Sequence, residues 1–384
     1  MNKRIYLDYN ATTPLSDEVK KFYFNELELY ANASSLHEDG RLEAKKIEKA
    51  RSEIASLAGC TSQEIIFTSG GSESNNTVFQ TMKTLKRSTE ETIVISAIEH
   101  PCVLESAKQL EKEGFTVIKL PVDGDGLIRL DAYRSALEKN PLLVSIMTAN
   151  NEIGTVQDVK TLCAMAHERG ALFHTDAVQA AGKIEVDLKD WDVDYATFSA
   201  HKIYGPKGVG ALFVKKGRKI EPLIRGGHQE KGYRAGTYNA PAIAAFGYAA
   251  VIAENELSSY SSRTKKLREA LRDGLLERIP NIRINGHPEK VLPNTLDVSF
   301  PGAEGEAILL HLDLLGISVS TGSACASGSL EPSHVLVATG LGPELAHGSI
   351  RFSFGKYNTA ADVEYILQNF PPVIERLRKM STLR

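Results

Sequence analysis

Short apolar runs alternate with longer segments of helical period over the first two thirds of the chain. The runs "EIIFTSG" (64–70), "TIVISA" (92–97), "TVIKLPV" (116–122), "LLVSIMT" (142–148), "ALFHTD" (171–176), "YATFSA" (195–200) and "GALFV" (210–214) are rich in β-branched and aromatic residues. They predict strands. Between them, "CVLESAKQLEKEG" (102–114) and "DVKTLCAMAHERG" (158–170) carry apolar residues at helical spacing, and each closes on a glycine that can end a helix. Near-continuous apolar strands separated by helices predict an α/β fold with a mostly parallel seven-stranded sheet covered by helices on both faces. After Pro241 a long helical segment (244–279) leads to strands near 294–300 and 317–320. The change of pattern predicts a large α/β domain over 16–250 and a smaller α+β domain formed by 1–15 and 260–384.

Composition narrows the class. The 384 residues are 42% hydrophobic and 24% charged, ample for a buried core. A formal net charge of −3 with no long basic run argues against nucleic acid or an anionic membrane as a direct partner. No run approaches the ~18 apolar residues of a membrane span. The start "MNKRIYLDYNATTPL" lacks the apolar stretch of a secretion signal. Cys60, Cys102, Cys163 and Cys325 are scattered, without a CxxC pair. No intrinsic metal site and no disulfide framework are expected, and a cytoplasmic location with reactive thiols follows.

Open α/β sheets bind ligands beyond the carboxyl ends of their strands. At those ends this chain places Gly71, Ser72 and Glu73, then His100, then Asn150, Asn151 and Glu152, then Asp176 with Gln179, then His201 and Lys202. Each alone has a plain structural reading: a strand-end Asp caps a helix, a histidine packs, and Ser72 forms a capping box with Glu73 or Asn75. Their convergence on one rim predicts a site. In "TSGGSESNN" (68–76) a Gly-Gly turn runs into a helix start, where freed N–H groups suit a phosphate. There is no GK[ST] and no GxGxxG, which weakens nucleotide readings. Lys202, in "FSAHKIYGPKGVG" (198–210), follows a buried strand, where partial desolvation would free its amine as a nucleophile. A Schiff-base lysine, an Asp for a pyridinium nitrogen and a phosphate cradle together specify pyridoxal phosphate (PLP). His100 could stack on its ring, and Asn151 could donate to its phenolic oxygen. Arg351, alone in the apolar "HGSIRFSFG", serves either a structural salt bridge or a substrate carboxylate. "RGGHQEKGYRAGT" (225–237) is a glycine-rich loop with Thr237 at its tip. In "VSTGSACASGS" (319–329), Cys325 is surrounded by residues too small to pin a loop by packing.

The motifs "YLDYNATTP", "FTSGGSESNN", "NNEIGTVQ", "HTDAVQAAGK", "SAHKIYGPKGVGAL", "RAGT", "SGSLEPSHVL" and "SIRFSFG", in unbroken order from about residue 4 to 380, resemble cysteine desulfurases of the NifS/IscS type. These are fold-type-I PLP enzymes of the class V aminotransferase family. The resemblance implies that Lys202 holds PLP as a Schiff base and that Asp176 pairs with the pyridine nitrogen. It implies that His100 stacks on the ring and shuttles protons, while Asn151 and Gln179 touch the phenolic oxygen. Gly71, Ser72, Ser199 and His201 would hold the phosphate, joined by Thr237 from the other subunit of a homodimer. Arg351 would bind the carboxylate of L-cysteine, with Asn32 nearby. Cys325 would be the nucleophile that becomes a persulfide and passes its sulfur to an iron–sulfur scaffold or a tRNA-thiolation relay protein. With a scaffold it could also ligate a nascent iron–sulfur cluster transiently. One sulfur atom working in two places implies a mobile loop, about 321–332.

Departures from the family pattern are Ala33 in "ANASSLH", His228 and Lys231 in "GGHQEKGYRAGT", Ser72 in place of threonine, and a short C-terminal tail. Selenocysteine lyase shares the motifs and is the nearest rival. A catalytically idle PLP fold serving as an assembly platform is a more distant one.

Overall fold

The computed structural model describes residues 4–321 and 332–381. In chain order the first part comprises β1 (Ile5–Tyr6), α1 (Asp17–Glu26), α2 (Glu38–Leu57), β2 (Ile65–Thr68), α3 (Gly71–Leu85), β3 (Glu91–Ser96), α4 (Pro101–Lys112), β4 (Phe115–Leu120), α5 (Leu130–Leu137), β5 (Leu143–Ser145), α6 (Val159–His167), β6 (Leu172–Asp176), α7 (Leu188–Trp191), β7 (Tyr195–Ser199) and β8 (Gly210–Val214). The seven-stranded sheet has the order β2-β8-β7-β6-β5-β3-β4. The pairs β3–β4, β3–β5, β5–β6 and β6–β7 are parallel, and β8 runs antiparallel to both neighbours. Every residue of β2, β5, β7 and β8 is buried, as a sheet covered on both faces requires. His174, fully enclosed in β6, bridges Ser145 on β5 at 2.8 Å and Thr197 on β7 at 3.2 Å. Burial drives its pKa down to about 3, so it is a neutral cross-strand pin.

The remaining elements are α8 (Ala240–Arg278), β9 (Arg283–Asn285), β10 (Thr295–Ser299), α9 (Gly305–Leu314), β11 (Ile317–Ser318), α10 (His334–Ala338), α11 (Pro343–His347), β12 (Ser349–Ser353) and α12 (Ala360–Met380). The unbroken 39-residue α8 joins two apolar cores. Ala242, Phe246 and Ala250 lie in the core of the large sheet, and Leu267, Leu271 and Leu275 in a second core. The second core also takes Ile5 and Leu7 with the antiparallel β12-β10-β9 sheet and the parallel β1–β11 pair. Residues after 260 do not all join it: Val335, Leu336, Leu341 and Ala346 pack into the core of the large sheet. The N-terminal segment threads between the two parts at Tyr9. A Cβ on Gly355 would lie 2.1 Å from the Tyr9 ring, so only glycine permits this approach.

The glycine-rich loop at 225–237 is tied down by charge. Arg51 on α2 binds both carboxylate oxygens of Glu230, at 2.6 and 2.8 Å, and Glu230 also accepts the Phe67 N–H at 2.9 Å. Both side chains are buried. Glu230 and Lys231 adopt left-handed φ values of 47° and 57°, strain that this ion pair offsets. Glu230→Ala leaves the buried Arg51 guanidinium with only the exposed Glu48 carboxylate and the Ile65 carbonyl, and should cost about 3 kcal/mol in chemical denaturation. A loss under ~1 kcal/mol would show that the pair does not anchor the loop.

Candidate active site

A cavity of about 260 Å³ opens at the carboxyl ends of the sheet strands. It brings together Gly71, Ser72, His100, Asn151, Asp176, Gln179, Ser199, His201, Lys202 and Arg351. Asn32 and Thr237 are exposed and lie outside this lining. Cys325 lies outside the described residues.

The floor is built by β6 and α3. Asp176, at the end of β6, accepts the Val178 N–H at 2.9 Å on one oxygen and the Asn75 amide at 2.7 Å on the other. It is therefore a turn cap and a fixed carboxylate at once. No capping box forms at Ser72. The N-cap of α3 is Gly70, at φ 153° and ψ −178°, a conformation essentially reserved for glycine, and no side chain caps the helix there. Glu73 instead bonds Arg234 and the Ser69 N–H. The first N–H groups of α3 are thus left for a ligand. A Cβ on Gly71 would come within 3.1 Å of Val178, crowding the cradle between α3 and the end of β7.

His100 follows β3 and caps α4, its Nδ1 accepting the Cys102 N–H at 3.2 Å. A neutral ring so bonded carries its proton on Nε2. Burial holds its pKa below the usual histidine value. Asp176 opposes that shift, and Lys202 reinforces it. His201 is pushed down to about 4 by burial and by the nearby lysines, Lys202 foremost, so it too is neutral near pH 7. The Lys202 amine donates to the carbonyls of Asn10 and, at 2.7 Å, Ala11. Arg351 settles part of its sequence ambiguity. It pairs with Asp8 at 2.7 Å and donates to the Asn151 carbonyl at 3.0 Å, yet it also lines the cavity. Asp297, opposite it on β10, is fully buried, and its carboxyl is raised to about 7.

Several residues in or beside the cavity carried no clear signal in the chain. Asn10 donates to Asn151 and Thr295, while its carbonyl receives Gln179 and Lys202. It joins segments up to 285 positions apart. Asn75 links Asp176 to the Cys102 thiol. Glu99 is fully buried; burial raises its carboxyl well above the usual value, and its Oε1 accepts the Met147 N–H at 2.7 Å. The acidic residue after a strand in "SAIEHP" was the one available hint.

The fit to PLP rests on this donor set: an uncapped helix N-terminus with hydroxyls beside it, a fixed carboxylate, a cavity lysine and a neutral histidine. Such a site on a mostly parallel α/β sheet defines a fold-type-I PLP enzyme. The comparisons agree. A model of the family "Aminotransferase class-V" matches residues 5–366. "Cysteine desulfurase IscS" of Dictyoglomus turgidum is 47% identical over 382 residues, covering 99% of this chain and 97% of its own. A solved "NIFS-LIKE PROTEIN" superposes with a TM-score of 0.91 at 40% identity, covering 97% of this chain and 100% of the other. "SspA in complex with cysteine" gives 0.82 at 33% identity, covering 92% and 100%. The chain belongs to the aminotransferase class-V family, among its cysteine desulfurases. No described helix is long and apolar enough to cross a membrane.

Proposed function

We propose that this chain removes sulfur from L-cysteine through the residues of the cavity, leaving L-alanine and a persulfide on Cys325. The observation that carries the reading is the meeting of Lys202, Asp176 and the uncapped start of α3 in one cavity. Bound there, PLP supplies an electron sink that acidifies the substrate α-proton and makes the sulfur open to attack. Lys202 provides the amine that holds the cofactor covalently. The N–H groups of Gly71 and Ser72, with Ser72, Ser199 and His201, take its phosphate. Asp176 keeps the ring nitrogen protonated, and Asn151 and Gln179 serve the phenolic oxygen. His100, in the cavity lining, would move protons through Nε2, the nitrogen not used in capping α4. Arg351 takes the substrate carboxylate, and Asp8 holds it in place for that contact. The Cys325 thiolate attacks the substrate sulfur. An S–S bond forms, the C–S bond breaks, and the carbon keeps the electron pair and is protonated to a methyl group.

Thr237 is exposed and outside its own cavity, which suits a role at the phosphate of a second protomer in a homodimer. Exposed Phe24, Leu27, Tyr30 and Leu36, flanking Asn32, offer apolar surface for that pairing. The persulfide is then passed to an iron–sulfur scaffold or a sulfur-relay protein in the cytoplasm. Incubating the PLP-loaded protein with L-cysteine and a reductant should yield alanine and sulfide in equal amounts. L-selenocysteine in a parallel reaction measures the competing lyase activity. Absence of alanine from L-cysteine would overturn the reading.

A further inference from the structure

Lys183 is an unusual lysine. It is 2% exposed, and among the described residues no carboxylate pairs with it. Its amine donates to the side-chain oxygens of Gln179 and, at 3.1 Å, Asn10. Burial, with Lys202 and Arg351 nearby, pushes its pKa well below the usual value. A neutral amine has two N–H donors, and two acceptors are present. The orientations of both amides follow from their neighbours. Asn10 directs its NH₂ at the Asn151 carbonyl and the Thr295 hydroxyl, so its Oδ1 must face Lys183. Gln179 gives its oxygen to Lys183 and its nitrogen to the Asn10 carbonyl at 3.0 Å. That same carbonyl accepts the Lys202 amine.

We propose that Lys183 is a positioning residue for the nucleophilic amine of Lys202, acting through Gln179 and Asn10. By holding the Gln179 oxygen, Lys183 keeps the Gln179 N–H on the Asn10 carbonyl. A carbonyl already accepting one donor stabilises the ammonium form of Lys202 less. The neutral, nucleophilic form is favoured. Without Lys183 the Gln179 amide is free to turn, the Asn10 carbonyl belongs to Lys202 alone, and the proton on that amine is held more tightly.

This inference rests on the reading of Lys202 as the lysine that binds PLP. The test is the pH dependence of the rate at which the protein stripped of PLP takes the cofactor up again as a covalent imine, followed by absorbance, whose midpoint reports the proton on the free Lys202 amine. Lys183→Met should raise the midpoint by about one pH unit. Lys183→Gln, which retains an N–H donor, should return it toward the wild-type value. Gln179→Leu should reproduce the Lys183→Met shift, and combining the two should add nothing further. If Lys183→Met does not fold, Lys183→Gln and Gln179→Leu still decide, because the first should stay near wild type and the second should shift. A wild-type midpoint in both Lys183→Met and Gln179→Leu overturns the proposal while the Lys202 assignment stands. Covalent uptake of PLP that survives in Lys202→Ala instead overturns the assignment itself.

Discussion

Lys202→Ala should cut desulfuration by roughly 10³-fold or more while leaving the fold intact. Lys202 lies at the cavity edge and donates to two backbone carbonyls, so its removal takes little packing from either core. The variant should still take up PLP through the helix N-terminus and Asp176, but without a covalent link. Borohydride reduction of the wild type followed by peptide mapping distinguishes the two lysines near the site. Lys202 lines the cavity, and Lys183 is enclosed behind Asn10 and Gln179. The tag should fall on Lys202. A tag on Lys183, or near-normal turnover by Lys202→Ala, would remove the foundation of the mechanism.

The sheet was legible because its strands are buried on both faces and made of β-branched and aromatic residues. "GALFV" predicts 210–214, the span that β8 occupies. The strand expected over 142–148 pairs regularly only at Leu143–Ser145. Beyond it the buried Glu99 side chain takes the Met147 N–H, a contact between residues 48 apart in sequence that no local pattern encodes. The capping box that was the plain structural alternative at Ser72 is absent for a related reason. Glu73 is drawn to Arg234, 161 positions away, and the helix start is left open for an anion.

Of the residues singled out from the chain, those that the cavity brings together sit, Arg351 apart, at or just beyond strand ends, where position alone implies convergence. Those missed, Asn10, Asn75 and Lys183, act by tying distant segments together. An asparagine in "DYNATT" looks like a turn residue until its partners at 151, 179, 202 and 295 are in place. Arg351 shows the limit of a choice posed from sequence. Salt bridge and substrate contact were alternatives there, but in the fold its guanidinium bonds Asp8 and lines the cavity together.

Cys325→Ser should retain PLP and bind L-cysteine yet form no persulfide, with alanine formation falling by about 10³-fold or more, because a hydroxyl is a poor nucleophile toward sulfur. The other thiols are badly placed to substitute. Burial raises Cys60, Cys102 and Cys163 each to about 12, which leaves on the order of one thiolate in 10⁴ or fewer at pH 7.5. Cys102 is the serious competitor, since it lines the cavity and touches His100 at 3.0 Å. Its thiol is nonetheless occupied between His100 and the Asn75 amide. The chain on either side of Cys325 is fastened to the site. Ser320 exchanges backbone hydrogen bonds with Arg351, and the Ser333 hydroxyl meets the buried Glu152 carboxyl, raised to about 8 by burial. Cys325 is five residues from Ser320, a chain reach of at most about 17 Å from the position that pairs with Arg351. Mass spectrometry after a single turnover should find one added sulfur on the Cys325 peptide in wild type, Cys60→Ala, Cys102→Ala and Cys163→Ala. It should find none in Cys325→Ser. A persulfide on Cys102 in Cys325→Ser, formed at the wild-type rate, would transfer the nucleophile's role to the cavity thiol.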